Sequence, residues 1–239
     1  MKKILITGAA GQIGSELTEH LRKQYGNLNV IAAIHSNSNK KASIAKPFCT
    51  LDIRDQYSLQ DIVKQYEIDS IFHLASLLSA KAEQNPQLAW EVNVNGLMNV
   101  LEVARQNNCG IFFPSSIGAF GPGTPRDNTP QITIQRPNNI YGISKLSGEL
   151  LCDYYYNRYA IDTRGLRYPG IISYQALPGG GTTDYAVHMF YAALQTKQYD
   201  CYLKPETRLD MMYMPDALNA AINLMQADSK KLQHRNAYN

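Results

Sequence analysis

KILITGAAGQIGSELTEHL, residues 3–21, opens with a short apolar run, stops at Gly8, and resumes with Ile13, Leu17 and Leu21 at helical spacing. That pattern predicts strand, tight turn, helix. Between the two elements Gly8, Gly11 and Gly14 form GxxGxxG. Glycines at such a junction permit the turn and let backbone N–H groups at a helix N-terminus approach a pyrophosphate. The same triplet could serve only to turn the chain, so the rest of the sequence has to decide.

It repeats the alternation. NVIAAI (29–34), SIFHLAS (70–76) and GIFFPSS (110–116) read as buried strands, and 86–108 as a long helix with Pro86 near its start. LDIRDQYSLQDIVKQY (51–66) reads as a turn and a helix, IYGISKLSGELLCDYYYNRYA (140–160) as a helix, and DTRGLRYPG (162–170) as a strand. Strict βα alternation predicts an α/β fold, a doubly wound Rossmann-type parallel sheet with helices on both faces. Residues 1–170 would form this dinucleotide-binding domain. Residues 171–239 would form a small C-terminal substrate lobe over the carboxyl edge of the sheet, where ligands of such folds bind. Trp90, on a sheet-packed helix, is expected in the core.

Dinucleotide sites of this kind carry an acid about 20 residues on, at the end of the second strand, for the adenosine ribose. Here that position, near Ile34, is apolar. His35, Asn37 or Asn39 could bond the ribose hydroxyls, or Lys40 and Lys41 could accept a 2′-phosphate. NAD is thus a preference, with NADP left open. Asp52 and Ile53 lie where a third strand would end, suited to the adenine edge, and Asp52 reads equally as a helix N-cap. His73 reads as a satisfied strand-end histidine.

A formal charge of +3, with Lys and Arg scattered, gives no nucleic-acid footprint. Four widely spaced cysteines, with no CxxC pair, suggest neither a metal site nor a disulfide framework, so a reducing cytoplasmic location is expected. The apolar run after Lys2 and Lys3 ends after four residues, too soon for a signal peptide. No stretch approaches the roughly 18 apolar residues of a membrane helix. A soluble protein without a membrane partner follows.

YGISK places Tyr141 and Lys145 four residues apart, one helical turn, on one face. An ammonium beside a phenol favours the phenolate, bringing a group of pKa near 10 toward physiological pH, where it can take a proton from an alcohol as hydride leaves the same carbon. Ser115 and Ser116, ending the strand before IGAFG, offer a hydroxyl to orient the substrate oxygen.

With GxxGxxG, HLAS, NVNG, SSIGAFG and YxxxK in this order, the chain resembles the extended short-chain dehydrogenase/reductase superfamily, which includes nucleotide-sugar epimerases and dehydratases. The resemblance implies that Tyr141 is the acid/base and that Lys145 lowers its pKa. It also implies that Ser116, five residues before Gly121, is the catalytic serine, with Ser115 the second choice. Cofactor contacts are implied for Gly8, Gly11, Gln12, Ile13 and Gly14, for Asp52, Ile53, Leu74, Ala75, Asn93 and Tyr168, and for Tyr141 and Lys145.

Within the superfamily, SSIGAFGPGTPRDNTPQ, LRYPGIISYQALPGGGTTDYAV and LDMMYMPDA resemble the short-chain L-threonine 3-dehydrogenase family. Oxidation of L-threonine to 2-amino-3-oxobutyrate is the implied reaction. Ser79, Ser116, Tyr141, Gly181, Thr182, Thr183 and Asp184 would line the substrate pocket, with Asp184 able to pair with the ammonium. PGGGTTDYAV (178–187) lacks the βα setting of the first glycine loop, so it reads as a hinge presenting Thr182, Thr183 and Asp184. Thr183 and Asp184 could equally be helix caps, and Ser79 a loop residue. A nucleotide-sugar epimerase or dehydratase, and a dinucleotide-binding protein without turnover, stand as alternatives. By the same resemblance the lobe would continue past RNAYN (235–239) with another strand and helix, so a shortened lobe is expected. Homodimerisation through helices 86–108 and 139–159 is likewise implied.

Overall fold

The structure, a computed structural model, describes residues 1–38, 45–175, 183–235 and 237–239. Among the described residues six strands pair in parallel: β1 (Ile4–Thr7), β2 (Val30–Ile34), β3 (Phe48–Thr50), β4 (Ser70–His73), β5 (Gly110–Ser116) and β6 (Thr163–Tyr168). Their order, β3-β2-β1-β4-β5-β6, is that of the Rossmann fold and reverses direction between β1 and β4. Gly8 and Leu74 leave the sheet at that crevice.

The strands read as near-continuous apolar runs because both faces are covered. Leu5, Ile31, Ile71, Ile111 and Phe113 turn toward α2 (Gln56–Gln65), α5 (Gly96–Asn107) and α6 (Ile140–Tyr159). Ile4, Ile6, Ala32, Phe72 and Phe112 turn to the other face, against α1 (Gln12–Tyr25) and α8 (Met214–Gln226). Side chains alternate between faces residue by residue, as the pleat requires.

After β6 the chain forms β7 (Gly170–Ile172), paired in parallel with β8 (Met211–Tyr213), with α7 (Tyr185–Gln195) between them. The segment after residue 170 therefore divides: β7, β8 and α7 follow the carboxyl end of β6, while α8 returns to pack on the sheet. At the outer edge of β6, Tyr238 donates its N–H to the Gly165 carbonyl and accepts from the Arg167 N–H.

The span from 86 to 107 is a short α4 (Pro86–Trp90), a π-type turn at Glu91–Asn95, then α5, where the sequence predicts one helix. Trp90 is the correction here. It is 40% exposed, because α4 buries Ala89 and leaves its neighbour on the outer face. A short α3 (Ser79–Gln84) precedes α4.

Candidate active site

The turn after β1 is tight for a measurable reason. Gly8 has φ +68, and a Cβ there would lie 2.7 Å from the Ala75 nitrogen; one on Gly14 would run into the Gly8 carbonyl. Backbone thus packs on backbone where α1 begins. No side chain caps the first turn of α1 and no acid lies in it, so its positive end faces the crevice without a built-in counter-charge. Gln12 adds a buried amide Nε2 that has no hydrogen-bond partner, alone in this among the described residues. A cradle that side chains would fill, an uncapped helix N-terminus and an orphaned donor fit a dinucleotide pyrophosphate.

Gly8, Gly11, Gln12, Ile13, Gly14 and Leu74 line a cleft of about 860 Å³. Ser116, Tyr141, Lys145 and Tyr168 line the same cleft, as do Ser79, Thr183 and Asp184. Among the cofactor candidates, Asp52, Ile53, Ala75 and Asn93 do not line it. Ile53 is buried against Gly96, where it fills the space a Cβ would need. Asp52 is paired with Arg54 at 2.7 Å, which holds its carboxyl well below the usual range, and the N-cap of α2 is Asp55 instead. Beyond the buried Ile34, His35 sits 3.6 Å from Asp52. Gly181 and Thr182, like Asn39, Lys40 and Lys41, lie outside the described residues.

Asn93 braces the site from behind. Buried in the π-type turn, it accepts from the Leu77 N–H at 2.8 Å and donates to the Leu77 carbonyl and to Ser144 Oγ. Ser144 in turn donates to the Tyr141 carbonyl. The first turn of α6 is capped twice, by Asn139 accepting from the Gly142 N–H and by Glu83 accepting from the Ile140 N–H. A Cβ on Gly142 would strike the Gly118 carbonyl, so only glycine lets α6 approach the turn after Ser116 this closely. Ser116 Oγ accepts from the Gly118 N–H, and its hydroxyl acts on the Tyr141 phenol to favour the charged form. The neighbouring Ser115 points to the opposite side and donates to Glu149.

Burial pushes the Tyr141 phenol up to about 12, with the Ser116 hydrogen bond pulling it back only in part. Lys145, 5% exposed, donates to the Pro114 carbonyl at 2.8 Å and lies 5.6 Å from the Tyr141 ring centre. Burial draws its own pKa down to about 8, against the opposing pull of Glu149. Desolvation is the largest cause at both groups and disfavours the charged form of each.

Thr183 packs directly over Gly170, in space any Cβ would take. Asp184 occupies the N-cap position of α7 but makes no side-chain cap hydrogen bond there. Tyr168 turns its hydroxyl away, donating to the Ala217 carbonyl at 2.7 Å. Glu83, Asn139, Gly170 and Leu209 also line the cleft and are not singled out by sequence reasoning. Asn139 was readable as an N-cap before the apolar run of α6. Leu209, in the connection between α7 and β8, carries no such signal.

A glycine cradle and a hydroxyl–phenol–ammonium set lining one cleft can bind a dinucleotide and move a proton beside it. Over residues 4–239 the sequence matches the NAD dependent epimerase/dehydratase family. The chain belongs to that family. As an enzyme of the epimerase/dehydratase family it works with a nicotinamide dinucleotide. It is 52% identical to an uncharacterized epimerase/dehydratase of Staphylococcus saprophyticus over 240 residues, covering all of this chain and 75% of that one. The L-threonine dehydrogenase of Clostridium difficile superposes with a TM-score of 0.96 at 54% identity, over 100% of this chain and 75% of that one. The holo form of a GalE-like L-threonine dehydrogenase from Cupriavidus necator superposes with a TM-score of 0.94 at 47% identity, over 99% and 77%. Among the described residues no helix is long and apolar enough to cross a membrane.

Proposed function

We propose that this epimerase/dehydratase-family enzyme oxidises L-threonine to 2-amino-3-oxobutyrate with NAD. The observation that carries the reading is that Ser116, Tyr141 and Lys145 line the same cleft as Thr183 and Asp184. The first three are the groups an alcohol oxidation needs, and the last two suit a small zwitterion. The dehydrogenases named above, similar over nearly the whole of this chain, support the same assignment.

In this reading Ser116 Oγ donates to the threonine hydroxyl oxygen, and Tyr141 as phenolate takes the hydroxyl proton while the carbinol carbon loses hydride. Lys145 stabilises the phenolate through its charge. Asp184 meets the substrate ammonium, with Thr183 and Ser79 beside it. NAD, when bound, supplies the hydride acceptor. Gly8, Gly11, Gln12, Ile13 and Gly14 hold its pyrophosphate, and His35 is the residue that would meet its adenosine ribose.

Two further elements belong to the proposal. Trp90, Met98, Ile143, Leu150 and Tyr154 are exposed along α4, α5 and α6, a face suited to homodimerisation and tested by sedimentation. All four cysteines are free thiols, as suits a reducing cytoplasm.

The test is an absorbance assay for reduced nicotinamide. Adding NAD and L-threonine is expected to give a steady rise. No rise with threonine, with turnover of a nucleotide sugar instead, would overturn the reading in favour of an epimerase or dehydratase.

A further inference from the structure

Tyr141, Lys145 and Glu149 follow one another at four-residue spacing on one face of α6. Glu149 is 3% exposed, and a carboxylate that deep is costly unless fully paired. It is paired on every side. Arg167 donates Nε to Oε1 at 3.0 Å and Nη2 to Oε2 at 2.8 Å, Gln135 donates to Oε2 at 3.2 Å, and the Ser115 hydroxyl donates to Oε1. Ser115 and Arg167 are direct neighbours across the β5–β6 ladder, so strand register presents both to the same carboxylate.

This network encloses Ser116. On its amino side Ser115 is tied to Glu149; on its carboxyl side the Arg167 guanidinium lies 5.2 Å from the centre of the Phe120 ring, just past the turn Ile117–Ala119. Arg167 also donates to the Gln131 carbonyl and to Gln135 Oε1, pinning the loop that follows. A buried ion pair is weak evidence for stability, since well-packed apolar residues do as well or better in its place. Its position, one turn beyond the lysine of a proton-transfer set, gives it another use.

We propose that Glu149 is a positioning residue for Ser116, Tyr141 and Lys145: its carboxylate, fixed by Arg167, anchors the strand that presents Ser116 and turns a negative charge along α6 toward the Lys145 ammonium. The charged and titratable groups around Lys145 are Tyr141, Glu149 and Cys152 on α6 and His73 on β4; Arg167 on β6 and Asp153 on α6 face Glu149. Of these, Glu149 is the carboxylate that favours a charged Lys145, and removing it leaves burial to drive the proton off.

The chemistry Glu149 serves rests on the proposed alcohol oxidation, but its effect on Lys145 is measurable without substrate. Competitive labelling of Lys145 with acetic anhydride across a pH series, read by mass spectrometry, gives the midpoint at which the amine loses its proton. Glu149→Gln keeps the shape and removes the charge; Glu149→Gln with Arg167→Gln also removes the guanidinium left unpaired. In whichever of these circular dichroism shows folded, the midpoint is expected to fall and labelling at neutral pH to rise by roughly threefold, the effect of half a pH unit. An unchanged midpoint in a folded variant overturns the proposal. Should neither fold, the wild-type curve decides: a midpoint above neutral pH sustains it, and one well below neutral overturns it. With threonine as substrate, Glu149→Gln is further expected to lower kcat while KM for NAD stays put. Loss of threonine turnover in the wild type alongside the expected labelling shift would sink the substrate assignment and leave this one standing.

Discussion

Acid is expected to destabilise this fold through one residue more than any other, His73. It ends β4 fully buried and shares a 2.9 Å hydrogen bond with Thr7 Oγ1, its direct neighbour across the β1–β4 ladder. Burial, helped by the Lys145 charge, draws its pKa from 6.5 down to about 3. The folded state therefore refuses a proton that the unfolded chain accepts near pH 6.5. Stability from this residue is intact above that pH and is lost as pH falls toward 3, at about 1.4 kcal/mol per pH unit. At about pH 5 the loss is about 2 kcal/mol, against a total of roughly 5–15 kcal/mol for a domain. Urea unfolding followed by circular dichroism at about pH 7 and pH 5 measures it, with His73→Asn as the comparison, since asparagine can still bond Thr7 but does not titrate. The variant carries its own constant penalty, so the quantity to read is the difference between the two pH values. Equal losses in wild type and variant would refute the assignment. The effect reaches the cleft, because Thr7 Oγ1 also accepts from the Ala75 N–H, the group against which Gly8 packs.

Gly14→Ala forces a Cβ into the Gly8 carbonyl, and is expected to lower NAD affinity by tenfold or more, about 1.4 kcal/mol, in a calorimetric titration; unchanged affinity would contradict the cradle. Tyr141→Phe is expected to cut threonine turnover on the order of 10²-fold or more with NAD binding retained, the usual scale for a positioned acid/base. Because burial holds the Tyr141 phenol up at about 12 and draws Lys145 down to about 8, kcat/KM is expected to climb with pH through the neutral range and flatten as Lys145 loses its charge; initial rates across about pH 6 to 9 check this, and a flat profile counts against phenolate as the base. Arg167→Ala leaves Glu149 without its guanidinium, and is expected to destabilise the fold by roughly 3–5 kcal/mol in a denaturant titration.

The parts of this molecule that sequence makes legible are those whose cause is local. A glycine triplet between an apolar run and a helical repeat can form little but the β1–α1 turn, and five spaced motifs are enough to bring Ser116, Tyr141 and Lys145 into one cleft. What escapes depends on which groups burial brings side by side. Trp90 looks like core by composition, yet its helix turns it outward; Asn93 could have been a surface residue, yet the π-type turn aims it at Leu77 and Ser144. YxxxK shows that a lysine stands one turn from a tyrosine, and nothing in the spacing says that both will be dry. Once they are, burial becomes the largest influence on both, and the carboxylate that opposes it at Lys145 belongs to a residue the motif does not contain. Glu149 reaches that role only through Ser115 and Arg167, 52 residues apart in sequence and adjacent only because β5 pairs with β6. The carboxylate that opposes burial at the lysine is thus held in place by sheet register, a property of the folded chain.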